Sequence, residues 1–454
     1  MVKNKDLTVG DPKKTLVYFT IPLFVSVIFQ QLYSIADSVI AGKFAGESAL
    51  AAVGASYPIT MIFMAVAVGS QIGCSVVISR YFGSGNIKAT KTCVTTSLIA
   101  GFVISALLTL LGVLFSPQMM NLVNTPQDIF NDGNLYLKIY TGGFVFLYIY
   151  NVTTGIFNSL GDSKTPLWLL IGSSVGNIIL DAFFVIVLKW GVAGVAWATF
   201  IAQGASGIIS VILLYIRLKS MVISENAPIF STKSLKEIAS IAIPSILQQS
   251  FISIGNMFVQ YLVNGFGSSV IAGYSAAIKL NTFAITGFTT LGNGISSFTA
   301  QNLGAGKIDR IKTAFKAGLV FSVSIAIVFF AVYFIFGKQL LYMFMNEDST
   351  ELAMNTGLNF LRIVSPFYII VCTKLICDGV LRGSESMGCF MASTFTDLVL
   401  RVVLAFVLSN FWNETGIWIG WPISWFMGAA LSVFFYVNGI WLKKFNAHHG
   451  ENAG

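Results

Sequence analysis

The sequence contains little charge. Only 10% of its 454 residues are Asp, Glu, Lys or Arg, whereas 55% are hydrophobic and the mean hydropathy is +0.79. Soluble domains of average composition carry about 25% charged residues. A water-soluble globular domain is therefore excluded, and we predict that lipid surrounds most of the chain.

Residues that serve enzymes and metal sites are also scarce. The two histidines, His448 and His449, stand in the C-terminal tail, and the sequence has no H-E-x-x-H or G-x-S-x-G motif. Such residues and motifs are the usual basis of metal-assisted and nucleophilic catalysis. The five cysteines have neither C-x-x-C nor zinc-finger spacing, so we interpret them as packing residues. We expect no enzymatic activity and no cofactor.

Long apolar runs, by contrast, are abundant. Twelve of them approach or exceed the length, about 20 residues, that an α-helix needs to cross the hydrocarbon core. Six runs cover residues 15–41, 50–78, 93–115, 133–157, 167–188 and 191–216. After a polar stretch, six more cover residues 238–264, 270–301, 314–336, 357–381, 389–409 and 416–442. The pattern predicts an all-α integral membrane protein with twelve transmembrane helices in two six-helix lobes.

An internal repeat relates the two predicted lobes. The segment YFGSGNIKATK at residues 81–91 aligns with NLGAGKIDRIK at residues 302–312, at an offset of 221. The lobes are therefore expected to be pseudo-symmetric. The expected domains are a lead (1–14), an N-lobe (15–216), a linker (217–237), a C-lobe (238–442) and a tail (443–454).

Each repeated segment contains a G-x-G sequence that superficially resembles a phosphate-binding loop. A P-loop requires glycine at position 301 and serine or threonine at position 308, where this chain has Gln301 and Ile308. No strand is predicted before either segment. We therefore predict a tight turn between the second and third helices of each lobe.

Basic residues are distributed unevenly over the predicted loops. Nineteen Lys and Arg residues lie on one face of the membrane, together with both termini, and only Lys43, Lys189 and Lys338 lie on the other. Positive charge marks the cytoplasmic side. We predict a cell-membrane protein, in the plasma or bacterial inner membrane, with both termini in the cytoplasm. The charges are dispersed without an aromatic-interleaved patch, so nucleic acid is not an expected partner.

Two of the four acidic residues inside predicted spans have basic neighbours on the same helix face. Asp378 lies four residues from Lys374 and from Arg382, and Asp397 lies four residues before Arg401. Side chains four residues apart on a helix can pair. We interpret these two acids as structural ion pairs.

The other two acids, Asp37 and Asp181, have no Lys or Arg within four residues. Polar residues accompany them instead: Gln30, Tyr33 and Ser34 precede Asp37, and Asn177 precedes Asp181 by one turn. An ionisable group in a span costs about 2.5–3.5 kcal/mol on insertion scales, which makes each a candidate functional site. The alternative is a neutral acid that is hydrogen-bonded across helices for packing alone.

Several segments together resemble the multidrug and toxic compound extrusion (MATE) family, in its DinF-like or MepA-like branch, over residues 15–442. They are IPLFVSVIFQQLYSIADSVIAGKFAG, the paired G-x-G turns, NIILDAFFV followed by GVAGVAWATF, and GVLRG at residues 379–383. The resemblance implies a fold of the MOP superfamily, with two lobes around a central cavity. It also implies antiport, in which cationic or amphipathic compounds are exported in exchange for protons or sodium.

The resemblance also implies roles for particular residues. The family's first-lobe cation site matches Asp37, Asn177, Asp181 and Thr199, which would hold H⁺ or Na⁺, and a proposed hinge in the first helix matches Pro22. Candidate substrate-cavity residues are Gln30, Tyr33, Phe157 and Gln203. An acid that the NorM-like branch carries on the seventh helix is missing, since this span has no Asp or Glu and has Gln248 and Gln249 among its polar residues.

The resemblance implies small amphipathic or cationic molecules and membrane lipid as partners, and we expect a monomer. An alternative function is that of a lipid-linked-saccharide flippase of the same superfamily, in which Lys279, Lys374 and Arg401 receive a diphosphate headgroup. Binding of anionic lipid would distinguish the flippase from an exporter of cations.

Overall fold

The computed structural model describes residues 6–45, 47–221, 226–345, 350–443 and 445, without the side chains of residues 35–39, 41, 42, 47, 48 and 50. Of the described residues, 89% are helical and none is in a strand. Nine helices of that part are long and apolar enough to cross a membrane. The predicted all-α membrane fold is confirmed.

The helices of the first half coincide with the predicted spans. They are α1 (Pro12–Ile40), α2 (Glu47–Gly83), α3 (Ile87–Leu114), α4 (Ser116–Leu122), α5 (Gln127–Gly142), α6 (Phe144–Ser159), α7 (Lys164–Asp181) and α8 (Gly191–Lys219). The predicted span 133–157 differs, because it is divided at Gly143 into α5 and α6. The short α4 lies outside every predicted span.

The second half repeats this arrangement. Its helices are α9 (Thr232–Asn264), α10 (Ser268–Gly304), α11 (Ile308–Tyr342), α12 (Glu351–Val364), α13 (Tyr368–Gly383) and α14 (Met387–Val437). A 3-10 turn at Ser365–Phe367 divides the tenth predicted span, at the position equivalent to Gly143. Non-helical dihedral angles at Trp412 and Asn413 interrupt α14 between the last two predicted spans.

Four helix-to-helix turns share one backbone conformation. Gly85, Gly161, Gly306 and Glu385 have φ values of 73°, 75°, 70° and 59°. In each turn, the N–H of the following residue donates to the carbonyl five residues before it. This pattern ends a helix with a left-handed residue, which glycine adopts at least cost. The G-x-G segments are thus helix-ending turns, as predicted, and Glu385 occupies a position that favours glycine.

The chain forms two compact units. Within the described residues, unit 1 consists of Asp6 with Ile21–Ser250, and unit 2 consists of Leu7–Thr20 with the chain from Phe251 onward. The division passes through α1 just before Pro22, and through α9 after Ser250. Neither division falls in the predicted linker. The predicted lobe boundaries stay a prediction.

The segment before α1 is fixed to unit 2 by hydrogen bonds. The Leu7 N–H donates to Gln301 Oε1 at 3.0 Å, the Asn302 amide donates to the Leu7 carbonyl at 3.2 Å, and Lys307 Nζ donates to the Thr8 carbonyl at 2.9 Å. Gln301 and Asn302 are fully buried. These contacts satisfy backbone groups that an extended segment would otherwise leave unpaired.

An aromatic core fills unit 2. Tyr274 stacks on Trp418 with ring centroids 5.0 Å apart, and Phe360 meets both Trp418 and Trp421 edge-on. Aromatic rings bury large areas, and edge-to-face pairs add about 0.5–1.5 kcal/mol each. One charged residue of unit 2 packs against this core, since the Arg401 guanidinium lies 4.5 Å from the centroid of the Trp421 ring.

Candidate functional site

Buried polar side chains follow one face of α7 in unit 1. Ser174, Asn177 and Asp181 are 5%, 2% and 0% exposed. Spacings of three and four residues place them on a single helix face. Within the part of the chain that the structure describes, the Ser174 hydroxyl and both polar atoms of the Asn177 amide have no hydrogen-bond partner. Sequence reasoning found Asn177 and Asp181 but missed Ser174, although its spacing indicates the same face.

Two π-helical segments border this site. One, Ala182–Val187, begins directly after Asp181, and the other, Ala41–Ala45, begins directly after α1. The two segments contact each other. Short π-helical segments are rare and frequently occur at functional sites. Among the described residues, unit 2 has no π segment.

A small apolar cluster brings three of the predicted cation-site helices together. Val185 and Val195 are buried against each other, and Ile40 packs on them. Asp181 lies one turn before Val185, and Thr199 lies one turn after Val195. Position 37 on α1 lies one turn before Ile40, but the Asp37 side chain is outside the described residues. The structure therefore places these three positions at a similar level of unit 1.

The Thr199 hydroxyl donates its hydrogen to a backbone carbonyl of its own helix. Its Oγ1 donates to the Val195 carbonyl at 3.0 Å. A hydroxyl oxygen that donates its hydrogen keeps two lone pairs. Thr199 can therefore present an oxygen acceptor to a cation.

The predicted hinge, Pro22, is buried in α1, two residues after the division between the units. Proline lacks the N–H that would bond to the carbonyl four residues earlier. The Ser26 hydroxyl donates to the Pro22 carbonyl at 2.9 Å. The helix is continuous here, with one backbone bond fewer than its neighbours.

The predicted cavity residues differ in exposure. Gln30 is exposed, Tyr33 and Gln203 are half-buried, and Phe157 is only 2% exposed. A separate groove of about 220 Å³ lies between α7 and α8 and is lined by Trp168, Gly172, Gly176, Ile201 and Ala205, among others. None of the four predicted cavity residues lines it.

The predicted ion pairs of unit 2 are present. Lys374 Nζ lies 2.8 Å from Asp378 Oδ2, and an Arg401 guanidinium nitrogen lies 3.1 Å from Asp397 Oδ1. Arg382 forms no direct salt bridge with Asp378 among the described residues and lies 5.3 Å from the centroid of the Phe390 ring, but its charge still interacts with the Asp378 carboxylate. No three His, Cys, Asp or Glu residues in the described part of the chain gather to hold a metal.

Fold and site define a multi-pass α-helical membrane protein of the transporter type, with buried polar groups inside its first unit. The sequence profile of the MatE family matches residues 22–183 and 244–407. The chain belongs to the MatE family.

Known proteins resemble the chain over nearly its whole length. It is 25% identical to the probable multidrug resistance protein YoeA of Bacillus subtilis, over 95% of this chain and 94% of the relative. It is 22% identical to the multidrug export protein MepA of Staphylococcus saprophyticus, over 89% of each. A MOP superfamily transporter from Pyrococcus furiosus has the same fold, with a TM-score of 0.91, 23% identity, and coverage of 98% and 99%. These similarities fit a transporter that is not an enzyme, and they do not favour the flippase alternative.

Proposed function

We propose that the protein is a secondary active multidrug efflux antiporter that exports cationic or amphipathic compounds in exchange for H⁺ or Na⁺. The names of the two curated relatives, which describe multidrug resistance and multidrug export, support the direction and the substrate class. The observation that carries the ion coupling is the buried Asn177 amide, which has no hydrogen-bond partner among the described residues and lies one turn from the buried Asp181.

Asp37, Asn177, Asp181 and Thr199 would hold the coupling ion. Carboxylate, amide and hydroxyl oxygens are the ligands that hard cations prefer, and a carboxylate also accepts a proton. A buried amide that lacks a partner costs about 1–3 kcal/mol. A ligand that bonds to the amide oxygen would recover that free energy, so the site favours an occupied state.

Ion binding would drive export through a change in α1. One elementary charge that crosses the membrane potential contributes about 2.3 kcal/mol per 100 mV. Pro22 weakens the helix next to the division between units, so bending there is the proposed link between ion binding and alternating access. The two lobes would open in turn to each side of the membrane.

Gln30, Tyr33, Phe157 and Gln203 are proposed to contact the exported molecule. Aromatic faces attract organic cations, and amide side chains supply adaptable hydrogen bonds. The uneven distribution of Lys and Arg supports a cell membrane location with both termini in the cytoplasm. We further propose that the protein works as a monomer.

Transport by reconstituted protein tests this function. Proteoliposomes that contain ethidium should lose it when an opposing proton or sodium gradient is imposed. Asp37→Asn and Asp181→Asn should each abolish this gradient-driven efflux. A matched control is Asp309→Asn, because Asp309 is a fully exposed acid outside the site and should leave efflux unchanged. Undiminished coupled efflux by Asp181→Asn would disprove the assignment.

A further inference from the structure

Lys374 contacts two carboxylates inside unit 2. Its Nζ lies 2.8 Å from Asp378 Oδ2 on its own helix and 3.7 Å from Asp397 Oδ2 on α14. The lysine side chain is 3% exposed, and the two acids are 1% and 7% exposed. Buried charges of this kind are retained only when they are paired. The ammonium therefore occupies the position between two acids that a free cation would take.

The remaining carboxylate oxygens also have donors. Asp378 Oδ1 accepts hydrogen bonds from the Ser393 hydroxyl at 3.1 Å and the Ser432 hydroxyl at 2.6 Å. Asp397 Oδ1 accepts from Arg401 at 3.1 Å. Asp378 Oδ2 and Asp397 Oδ2 face Lys374, so each of the four carboxylate oxygens has a donor in the described part of the chain. The buried guanidinium of Arg382 adds a further positive charge that interacts with Asp378. The cluster is complete without an added ion.

Gly428 provides the space for the lysine. A Cβ atom at position 428 would lie 2.7 Å from Lys374 Cε and 2.9 Å from Asp397 Cβ. Real Cβ contacts are essentially never that short, so any larger residue would displace the lysine stem or the acid. The glycine, the two acids and the lysine thus form one fitted arrangement of α13 and both parts of α14.

The two halves of the repeat differ in the charges that they carry at equivalent positions. At an offset of 220, Asp181 of unit 1 aligns with Arg401 of unit 2, and no Lys or Arg lies within four residues of Asp181. Unit 2 thus carries its own cations next to its buried acids, whereas the local sequence of unit 1 does not supply one.

We propose that Lys374 is a built-in cation that fills a second carboxylate site, so that unit 2 carries no exchangeable ion. Coupling would then use unit 1 alone, a conclusion that rests on the proposed function. Removal of the ammonium leaves Asp378 Oδ2 and Asp397 Oδ2 without the cation that lies between them, next to the Ser393 and Ser432 hydroxyls. That site takes a monovalent cation, either Na⁺ or H⁺.

Sodium binding to purified protein tests the proposal. Saturable ²²Na⁺ binding and the melting temperature are measured at pH 8.5, with choline chloride to hold ionic strength constant, in an Asp181→Asn background. That background should show no saturable response. Addition of Lys374→Met should create one, with a rise of about 1.5 °C or more once sodium exceeds ten times its Kd, or an equivalent rise on acidification. A third change, Asp378→Asn, should remove it.

Two controls isolate the ammonium at position 374. Lys374→Arg keeps a cation there and should show no response. Lys279→Met removes an exposed lysine of the same unit, which lies over the Phe344 ring, and should also show none. Each variant is checked for a single monodisperse peak before measurement. If Lys374→Met does not fold, the comparison of wild type with Asp181→Asn still counts the sites, because loss of all saturable binding is expected.

Three results would overturn the proposal. One is saturable sodium binding in the Asp181→Asn background that Asp378→Asn removes, since unit 2 would then load an ion in the native protein. Another is a folded Lys374→Met protein that responds neither to sodium nor to acid. The third is a Lys374→Arg protein that responds to sodium or acid. That result would show that a positive charge at this position does not decide whether the site binds an ion. Failure of the proposed coupling is distinct, because wild type would then show no ion response while Lys374→Met still gained one.

Discussion

Replacement of Asn177 by leucine should stabilise the protein and stop transport. Leucine has nearly the shape of asparagine but no polar atoms, and both polar atoms of the Asn177 amide are buried without a partner in the described part of the chain. Each such atom costs about 1–3 kcal/mol. The free energy of unfolding should therefore rise by about 2 kcal/mol. The melting temperature of the detergent-solubilised protein should rise by about 2 °C.

The opposite effects on stability and function are the informative part of this prediction. A residue that serves packing alone would lose neither activity nor stability on this change, whereas a ligand group gives up binding when it becomes apolar. Gradient-driven ethidium efflux from proteoliposomes should fall to the level of empty vesicles. Ser365→Ala is the matched control, since it removes a buried hydroxyl that has no partner among the described residues but lies in unit 2, outside the site, and it should leave efflux unchanged. An Asn177→Leu protein with a lower melting temperature, or with full efflux, would refute the reasoning.

Three further predictions concern the backbone and the helix ends. Glu385→Gly should stabilise the protein by about 1 kcal/mol, and Gly306→Ala should destabilise it by a similar amount, because both positions have positive φ. Melting temperatures equal to that of the wild type would contradict this. Pro22→Ala restores a backbone donor in α1, so the melting temperature should be kept or raised. Turnover in the efflux assay should fall, and unchanged turnover would argue against a hinge at this position. The hydrogen bond from the Lys14 N–H lowers the pKa of the Asp11 carboxyl below its usual 3.8. The carboxylate therefore caps α1 fully above pH 3.8, and the cap is lost as the pH falls through the lowered pKa. Amide exchange at Lys14 should accelerate there in wild type but not in Asp11→Asn, whose amide oxygen still caps the helix.

The helices were predictable from the sequence because their signal is local. The predicted spans end close to the helix ends, since runs of about 20 apolar residues have few other solutions in a bilayer. The turn at Gly306 and the Lys374–Asp378 pair could also be predicted, because each depends on residues within one helical turn.

Features that depend on tertiary packing were not predictable. The π segment after Asp181 leaves no composition signal, and the contact of Lys374 with Asp397 joins two helices whose separation in sequence is uninformative. The breaks at Gly143 and at Ser365–Phe367 fall within apolar runs, where glycine and proline are both tolerated. Spacing placed Arg382 near Asp378, and the charges do interact, but the contact of Arg382 with the Phe390 ring depends on packing and could not be predicted.

The passage of α1 and α9 from one unit to the other has a consequence for biogenesis. Residues 7–20 emerge from the ribosome first, yet Gln301 and Asn302, which receive Leu7 in unit 2, are translated almost three hundred residues later. Two fragments made by cutting the gene in the linker would therefore not be two autonomous folding modules, since each would lack a stretch of helix held by the other. Co-expressed fragments should complement one another, while either fragment alone should be degraded.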